Sequence, residues 1–250
     1  MSEIFICRRE AVIPENPYPT FTYTGVSNMI DDGDGNWRIK LLTSGTLTFT
    51  EVKDYIDVFL VGGGASGTSS KNDYHYFPGS GGGGGYTITS KGMQVETNKP
   101  YDIVIGAGGI APPAAAGYQN STGRSGGNTT AFSLTANGGQ GGYAKQNSPD
   151  VSYGGSGGSG GGVWGGAGGT NGGNGKTGGG GGIVGYGQGT TTREFGEPNG
   201  DLYAAGGSSN NNSRTIYPNT GNGGNGPSTD LTCRQGGDGS SGIVVIRNMR

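Results

Sequence analysis

From position 154 to 187 every third residue is Gly, with Val163 and Val184 the two exceptions, and the next phase of the same register is mostly Gly as well. A period of three belongs to the left-handed extended helix of the polyproline II type. Collagen shares that period, but no Pro occurs between Pro149 and Pro198, so a collagen triple helix is excluded. Two of the three faces of such a helix are bare backbone. The pattern therefore predicts glycine helices packed side by side and hydrogen-bonded to neighbours in several directions, a polyglycine II arrangement. A lone helix of this kind cannot persist. Ordering each residue costs about 1–2 kcal/mol, with Gly at the high end, while one net backbone hydrogen bond returns about 0.5–1.5 kcal/mol. At about 3.1 Å per residue the tract would span roughly 105 Å if straight, so it must fold back. Bends are expected at Val163-Trp164 and Ile183-Val184.

Gly supplies 60 of the 250 residues and Pro another 11, a proportion usual in disordered chains. Two features oppose disorder. Only 14% of residues are charged, with a formal net charge of −2, so repulsion does not expand the chain. The apolar residues are also gathered into short β-type runs. Only four Gly precede position 62, which sets a compositional boundary near Val61. Pro14, Pro17 and Pro19 suggest an extended docking arm over residues 1–24, followed by a glycine-rich domain over 25–250. Strand candidates are Thr20–Thr24, Trp37–Leu42, Thr46–Thr50, Ile56–Val61, Tyr86–Ser90, Tyr101–Ile105, Thr129–Leu134 and Ile243–Ile246. The second, third and fourth read as an antiparallel meander. No amphipathic helix is evident, and Gly at this density opposes one by about 1 kcal/mol per residue. The fold class expected is all-β with packed glycine helices.

Several motifs imitate chemistry. Gly62, Gly64 and Gly67 form G-x-G-x-x-G after a strand, but the segment that follows cannot be the helix whose N-terminus would hold a pyrophosphate. Gly175-Lys176-Thr177 resembles the end of a P-loop with the spacing wrong by one residue. Ser156 and Ser159 sit in Gly-rich elbows, yet a nucleophile elbow needs a strand-to-helix turn and a partner His, and the chain has one His. Asp31–Asn36 starts like a calcium loop but puts Trp37 and Thr43 where Gly and Glu are required, so a hairpin turn is expected there. Glu194 and Glu197 lack a second acidic cluster, which disfavours glycoside hydrolysis. Cys7 and Cys233 make neither a disulfide framework nor a CxxC site. No catalytic residues, cofactor or metal are expected, and without clustered Lys or Arg no nucleic-acid partner is expected either. The longest apolar run, Ile56–Val61, is far shorter than the ~20 residues that span a bilayer, and the first residues lack the apolar stretch of a signal peptide.

Segments with side chains alternate with the glycine blocks. Tyr74, His75, Tyr76 and Phe77 stand between two blocks, either covering a sheet edge or forming a recognition loop. Ala111–Arg124, Tyr143–Tyr153, Thr190–Tyr203, Ser208–Thr220 and Pro227–Gln235 continue the alternation. Tyr118, Tyr153, Trp164, Phe195, Tyr203 and Tyr217 join the four aromatic-loop residues as binding candidates, because rigid scaffolds with polar and aromatic loops are built for recognition.

SGTLTFTEVKDYIDVFLVGGGASG, GGGGGYTIT, YDIVIGAGG and the terminal GSSGIVVIR, in that order, resemble the glycine-rich domain of phage tail and bacterial surface proteins. The domain is similar to that in the ectodomain of anaplastic lymphoma kinase and to the distal adhesins of T-even-like tail fibres. The resemblance implies an antiparallel, jelly-roll-like β-sandwich carrying polyglycine II helices. It also implies a non-enzymatic virion protein, tail-fibre or baseplate-associated, made in the host cytoplasm and exposed on the particle. Its partners would be other virion proteins through the arm and a host-surface glycan or protein through the loops, with a homo-oligomer such as a trimer as the usual fibre arrangement. A purely structural connector or decoration protein without host contact is the alternative.

Overall fold

The computed structural model describes residues 17–52, 55–69, 79–114, 121–145, 152–162, 190–209, 211, 213–228 and 234–250. The fold is all-β. Its strands are β1 (Thr20–Tyr23), β2 (Ser27–Gly33), β3 (Asn36–Leu41), β4 (Gly45–Glu51), β5 (Tyr55–Val61), β6 (Thr87–Gln94), β7 (Pro100–Ile103), β8 (Ser121–Thr122), β9 (Thr129–Ala131), β10 (Leu134–Ala136), β11 (Tyr143–Ala144) and β12 (Ile243–Asn248). Five strands form one antiparallel sheet in the order β2-β3-β12-β5-β6, and three form another in the order β1-β4-β7. β9 pairs with β10 and β8 with β11.

Alternation decides which side chains are buried. Trp37, Ile39 and Leu41 of β3, Ile56, Val58 and Leu60 of β5, and Val244 and Ile246 of β12 point to one face of the larger sheet. They share a hydrophobic core with Leu47 and Phe49 of β4 and Ile103 of β7 from the smaller sheet. The expected meander does not occur. β3, β4 and β5 are consecutive in sequence, but β4 belongs to the other sheet, and β12 from the far end of the chain lies between β3 and β5. The apolar run IVVI is buried on both faces and has the most to gain from a central position. β1 also pairs with β4, so residues 20–23 of the expected arm belong to the fold.

Asp34 and Gly35 make the two-residue turn between β2 and β3, both with positive φ (55° and 76°), as a type I′ hairpin requires. The run 129–134 is two strands, because Phe132 and Ser133 turn between β9 and β10 with φ of 50° and 64°.

Where the strands end, the hydrogen bonding changes from two directions to three. The N–H groups of Gly62, Ala65 and Thr68 donate to the carbonyls of Tyr86, Gly83 and Ser80. Those of Gly63 and Ser66 donate to Gly127 and Arg124, and those of Gly64 and Gly67 to Ser240 and Gly237, all at 2.8–3.0 Å. The donors thus rotate among three neighbours with a period of three residues. Carbonyls of the same segment accept from three further segments: Gly63 from Gly139, Gly64 from Gly109 and Ala65 from Gly224. Residues 81–86 repeat the rotation, with Gly81 and Gly84 bonded to Gly162 and Ser159, Gly82 and Gly85 to Gly224 and Gly221, and Gly83 and Tyr86 to Gln140 and Asn137.

Backbones this close leave no room for a Cβ. One built on Gly64 would lie 2.0 Å from the Asn222 carbonyl oxygen, a contact no side-chain rotation can relieve. Residues 154–162 of the period-three tract join the array and already reverse within it, since Gly158 bonds to Gly84 and Gly162 stands beside Gly81. The first reversal therefore precedes Val163-Trp164. Residues 163–189, including both expected bends, lie outside the described residues. Gly64→Ala is expected to destabilise by more than about 3 kcal/mol through backbone displacement. Gly33→Asn, at an open positive-φ position (82°), is expected to stay within about 1 kcal/mol because Asn tolerates that conformation. Urea titration of the two variants checks the contrast.

Candidate functional site

The glycine segments run from the sheets to an opposite end, and there residues flanking several segments outside the described ones meet. Thr68 and Ser80 close the mouth of segment 70–78: the Thr68 N–H donates to the Ser80 carbonyl at 2.9 Å, and the Ser80 N–H to the Thr68 hydroxyl at 2.7 Å. The Ser69 N–H donates to the hydroxyl of Ser121 at 2.8 Å and the Ser69 hydroxyl to the Pro112 carbonyl, tying in the two flanks of segment 115–120. The Ser80 hydroxyl reaches the Tyr143 carbonyl at 2.9 Å, at the base of segment 146–151. Gly79 donates to Pro227 and the Gln235 amide to Ala111, both at 2.9 Å, which brings in the approach to and exit from segment 229–233. The flanks of four segments widely spaced in sequence are thus bonded together in one place.

Of the binding candidates, Tyr153 is at this end. It exchanges two 2.8 Å main-chain hydrogen bonds with Tyr143, their rings lie 5.4 Å apart, and its side chain is about half exposed. Tyr217 is exposed too but elsewhere. Asn219, two residues on, bonds to the carbonyls of Leu42 and Gly242 where sheet meets glycine array. Tyr74, His75, Tyr76, Phe77, Tyr118 and Trp164 lie outside the described residues. Phe195 and Tyr203 require correction: both are buried, at 3% and 5% exposure, with rings 6.0 and 5.6 Å from Phe59. Thr190–Tyr203 covers the second face of the five-stranded sheet rather than displaying side chains. Covering Phe59, Val61, Ile243 and Val245 gains more than exposing two rings.

Beneath that cover is an ionic network the sequence reading missed. Arg38 and Lys40 alternate with the core residues of β3 and so share the covered face. Glu194, 2% exposed, takes Arg38 at 2.5 Å and Lys40 at 3.4 Å. Lys40 also donates to Asp201 at 2.8 Å and to the Tyr203 hydroxyl, which in turn donates to Glu194, both at 3.1 Å. The Arg247 guanidinium donates twice to buried Asp57, meets Glu197 at 2.6 Å and lies 4.0 Å over the Phe195 ring. Arg38 at 3.0 Å and Arg250 both pair with Asp32. Burial alone would lower Lys40, but the bonds to Asp201 and Tyr203 hold it well above its usual range. Burial, reinforced by the charge of Glu194, pushes the Tyr203 phenol up to about 12. Asp57 inside IDVFLV and Arg247 after IVVI were the available signals: a charge within a buried run requires a partner.

Glu194→Gln leaves Arg38 and Lys40 facing a neutral amide and is expected to destabilise by about 3 kcal/mol, read as a fall in melting temperature of roughly 10 °C. Because the Tyr203 phenol is raised on folding, its contribution is intact below pH 10 and is lost as pH rises through about 12. The alkaline decline in urea midpoint is expected to be shallower in Tyr203→Phe than in the parent chain.

Among the described residues no group of His, Cys, Asp or Glu is arranged to hold a metal ion, and no helix is long and apolar enough to cross a membrane. A search of curated proteins finds no match. The sequence pattern of the glycine-rich domain matches residues 42–249. That span takes in the nine strands from β4 to β12, the whole described glycine array and the covering segment, so the chain belongs to the glycine-rich domain family.

Proposed function

We propose that this chain is a non-enzymatic phage virion protein, tail-fibre or baseplate-associated, that presents loops to a glycan or protein on the host surface. The observation that carries the reading is polarity. Pro17 enters beside Gly35, at the hairpin turn where β3 begins, while the roots of segments 70–78, 115–120, 146–151 and 229–233 gather at the far end of the glycine array. An arm at one end and grouped loops at the other is the arrangement a display module needs. The array between them is a polyglycine II scaffold in this reading, supported by the three-residue rotation of its hydrogen bonds. Its stiffness follows from backbone groups bonded in several directions. The virion context rests on the resemblance of the ordered motifs to those of phage tail glycine-rich domains.

Purified protein is expected to compete with phage for adsorption to host cells. Removing Tyr74–Phe77, or replacing exposed Tyr153 with Ala, is expected to weaken competition at least about tenfold without lowering the melting temperature, since aromatic anchors dominate recognition surfaces. Failure of the intact protein to compete would exclude the adhesin role and leave the structural virion component. Unchanged competition by both variants would remove those two positions from the contact surface.

A further inference from the structure

On the sheet half of the molecule, opposite the loop roots, the covering segment leaves a cavity of about 270 Å³ lined by Asp32, Arg38, Glu194, Glu197, Arg247 and Arg250, with Asn199 at its edge. We propose that this cavity binds one ring of a neutral polyol, either a free hexose or the terminal unit of a glycan. The inference stands apart from the adhesin reading, since it uses neither the loops nor their roots.

Charge balance selects the ligand class. Three guanidinium groups face three carboxylates, and each carboxylate is held by at least one of those arginines. A phosphate or sulfate would add negative charge to a site whose arginines are already matched by Asp32, Glu194 and Glu197, and would lie against those carboxylates, while a metal ion would meet guanidinium groups on several sides. A neutral molecule with neighbouring hydroxyls needs neither exchange, because each hydroxyl can accept from one group and donate to the next.

The capacity is available. Arg38 and Arg247 each use three of their five N–H donors on carboxylates. Among the described residues, Oε2 of Glu197 and the side-chain amide of Asn199 carry no hydrogen bond. The groups are also fixed in advance. Asp57 pins Arg247 from behind, and Phe195 holds it from the front. Phe195 itself is kept at φ 55°, followed by Gly196 at φ 70°, so that Glu194 and Glu197 flank the turn and face different arginines. A bulky residue in the left-handed region is strained, and such strain gathers at ligand sites. The volume lies at the small end of ligand pockets and suits a single sugar ring.

Nitrogen-15 NMR of the arginine Nε–H groups in the full chain tests this directly. D-glucose, D-galactose, myo-inositol and maltotriose would each be titrated to about 50 mM, with inorganic phosphate as the anionic arm. At least one polyol is expected to shift the Arg38, Arg247 or Arg250 signals saturably. Asn199→Ala, an exposed change that leaves the ion pairs intact, and Glu197→Gln are each expected to weaken that binding, the latter about tenfold. Equal binding of glucose and maltotriose would identify a glycan terminus as ligand, and exclusion of maltotriose a free polyol. The proposal is overturned if no polyol moves an arginine signal, if phosphate moves them more strongly than every polyol, or if Asn199→Ala and Glu197→Gln both bind as the parent chain does.

Discussion

Hydrogen bonding of main chain to main chain in three directions is the constraint on which this structure rests. In a sheet each strand bonds to two neighbours, and the two remaining directions are filled by side chains. In the segment 62–68 the donors go to three neighbours and the acceptors receive from three others, so no direction is left for a side chain to fill. Glycine is therefore not a flexible linker here. It is the residue whose absent side chain lets adjacent backbones approach, as the 2.0 Å clash of a Cβ at Gly64 illustrates. The side chains that do occur in this segment are short and buried: Ala65 carries a single methyl, and the hydroxyls of Ser66 and Thr68 join the network by accepting the Arg124 and Ser80 N–H groups at 2.8 and 2.7 Å.

Such an array gives little net free energy per residue, because each hydrogen bond replaces one to water. It needs a nucleus that does not depend on it. The sheets provide that nucleus, and they do so in register with the array. β5 runs directly into Gly62, Gly85 leads through Tyr86 into β6, and Gly242 leads into β12. The buried side chains of β5 and β12 fix where each glycine segment starts and which way it points. A displacement of one residue in the sheet would carry an entire glycine segment out of step with all its neighbours. The hydrophobic cores and the glycine array therefore fold as one cooperative unit, although only the former contains appreciable apolar side-chain volume.

Much of this was legible in the sequence and some could not be. The period of three pointed to backbone packed on backbone, and residues 154–162 of that tract do join the array, where the donors of 62–68 and 81–86 rotate every three residues. The strand positions were legible for the analogous reason, alternation with a period of two. Pairing was not. Nothing local distinguishes β4, which left for the second sheet, from β3 and β5, and the insertion of β12 between them depends on contacts some 200 residues apart in sequence. Aromatic residues misled for the same reason. Phe195 and Tyr203 occupy a polar, loop-like segment just as Tyr153 does, and their burial depends on Phe59, which that segment happens to cross. The pairing of Asp57 with Arg247 was implicit in two charged residues set within or beside buried runs, but their partnership again required the long-range register.

The division between array and loops has a consequence for how such a chain can change. The flanks of segment 70–78 are bonded to one another through Thr68 and Ser80, and those of segment 146–151 through Tyr143 and Tyr153. Closing a loop between fixed ends costs only about 0.6 kcal/mol more when its length doubles. A glycine inside the array is coupled to several backbones at once and is intolerant of any side chain. Intolerance is thus concentrated in the array and in the buried Thr68, Ser69 and Ser80 that tie its far end together. What makes this interior rigid is therefore also what makes it unforgiving: its contacts are made by main-chain groups that no side-chain substitution can move aside.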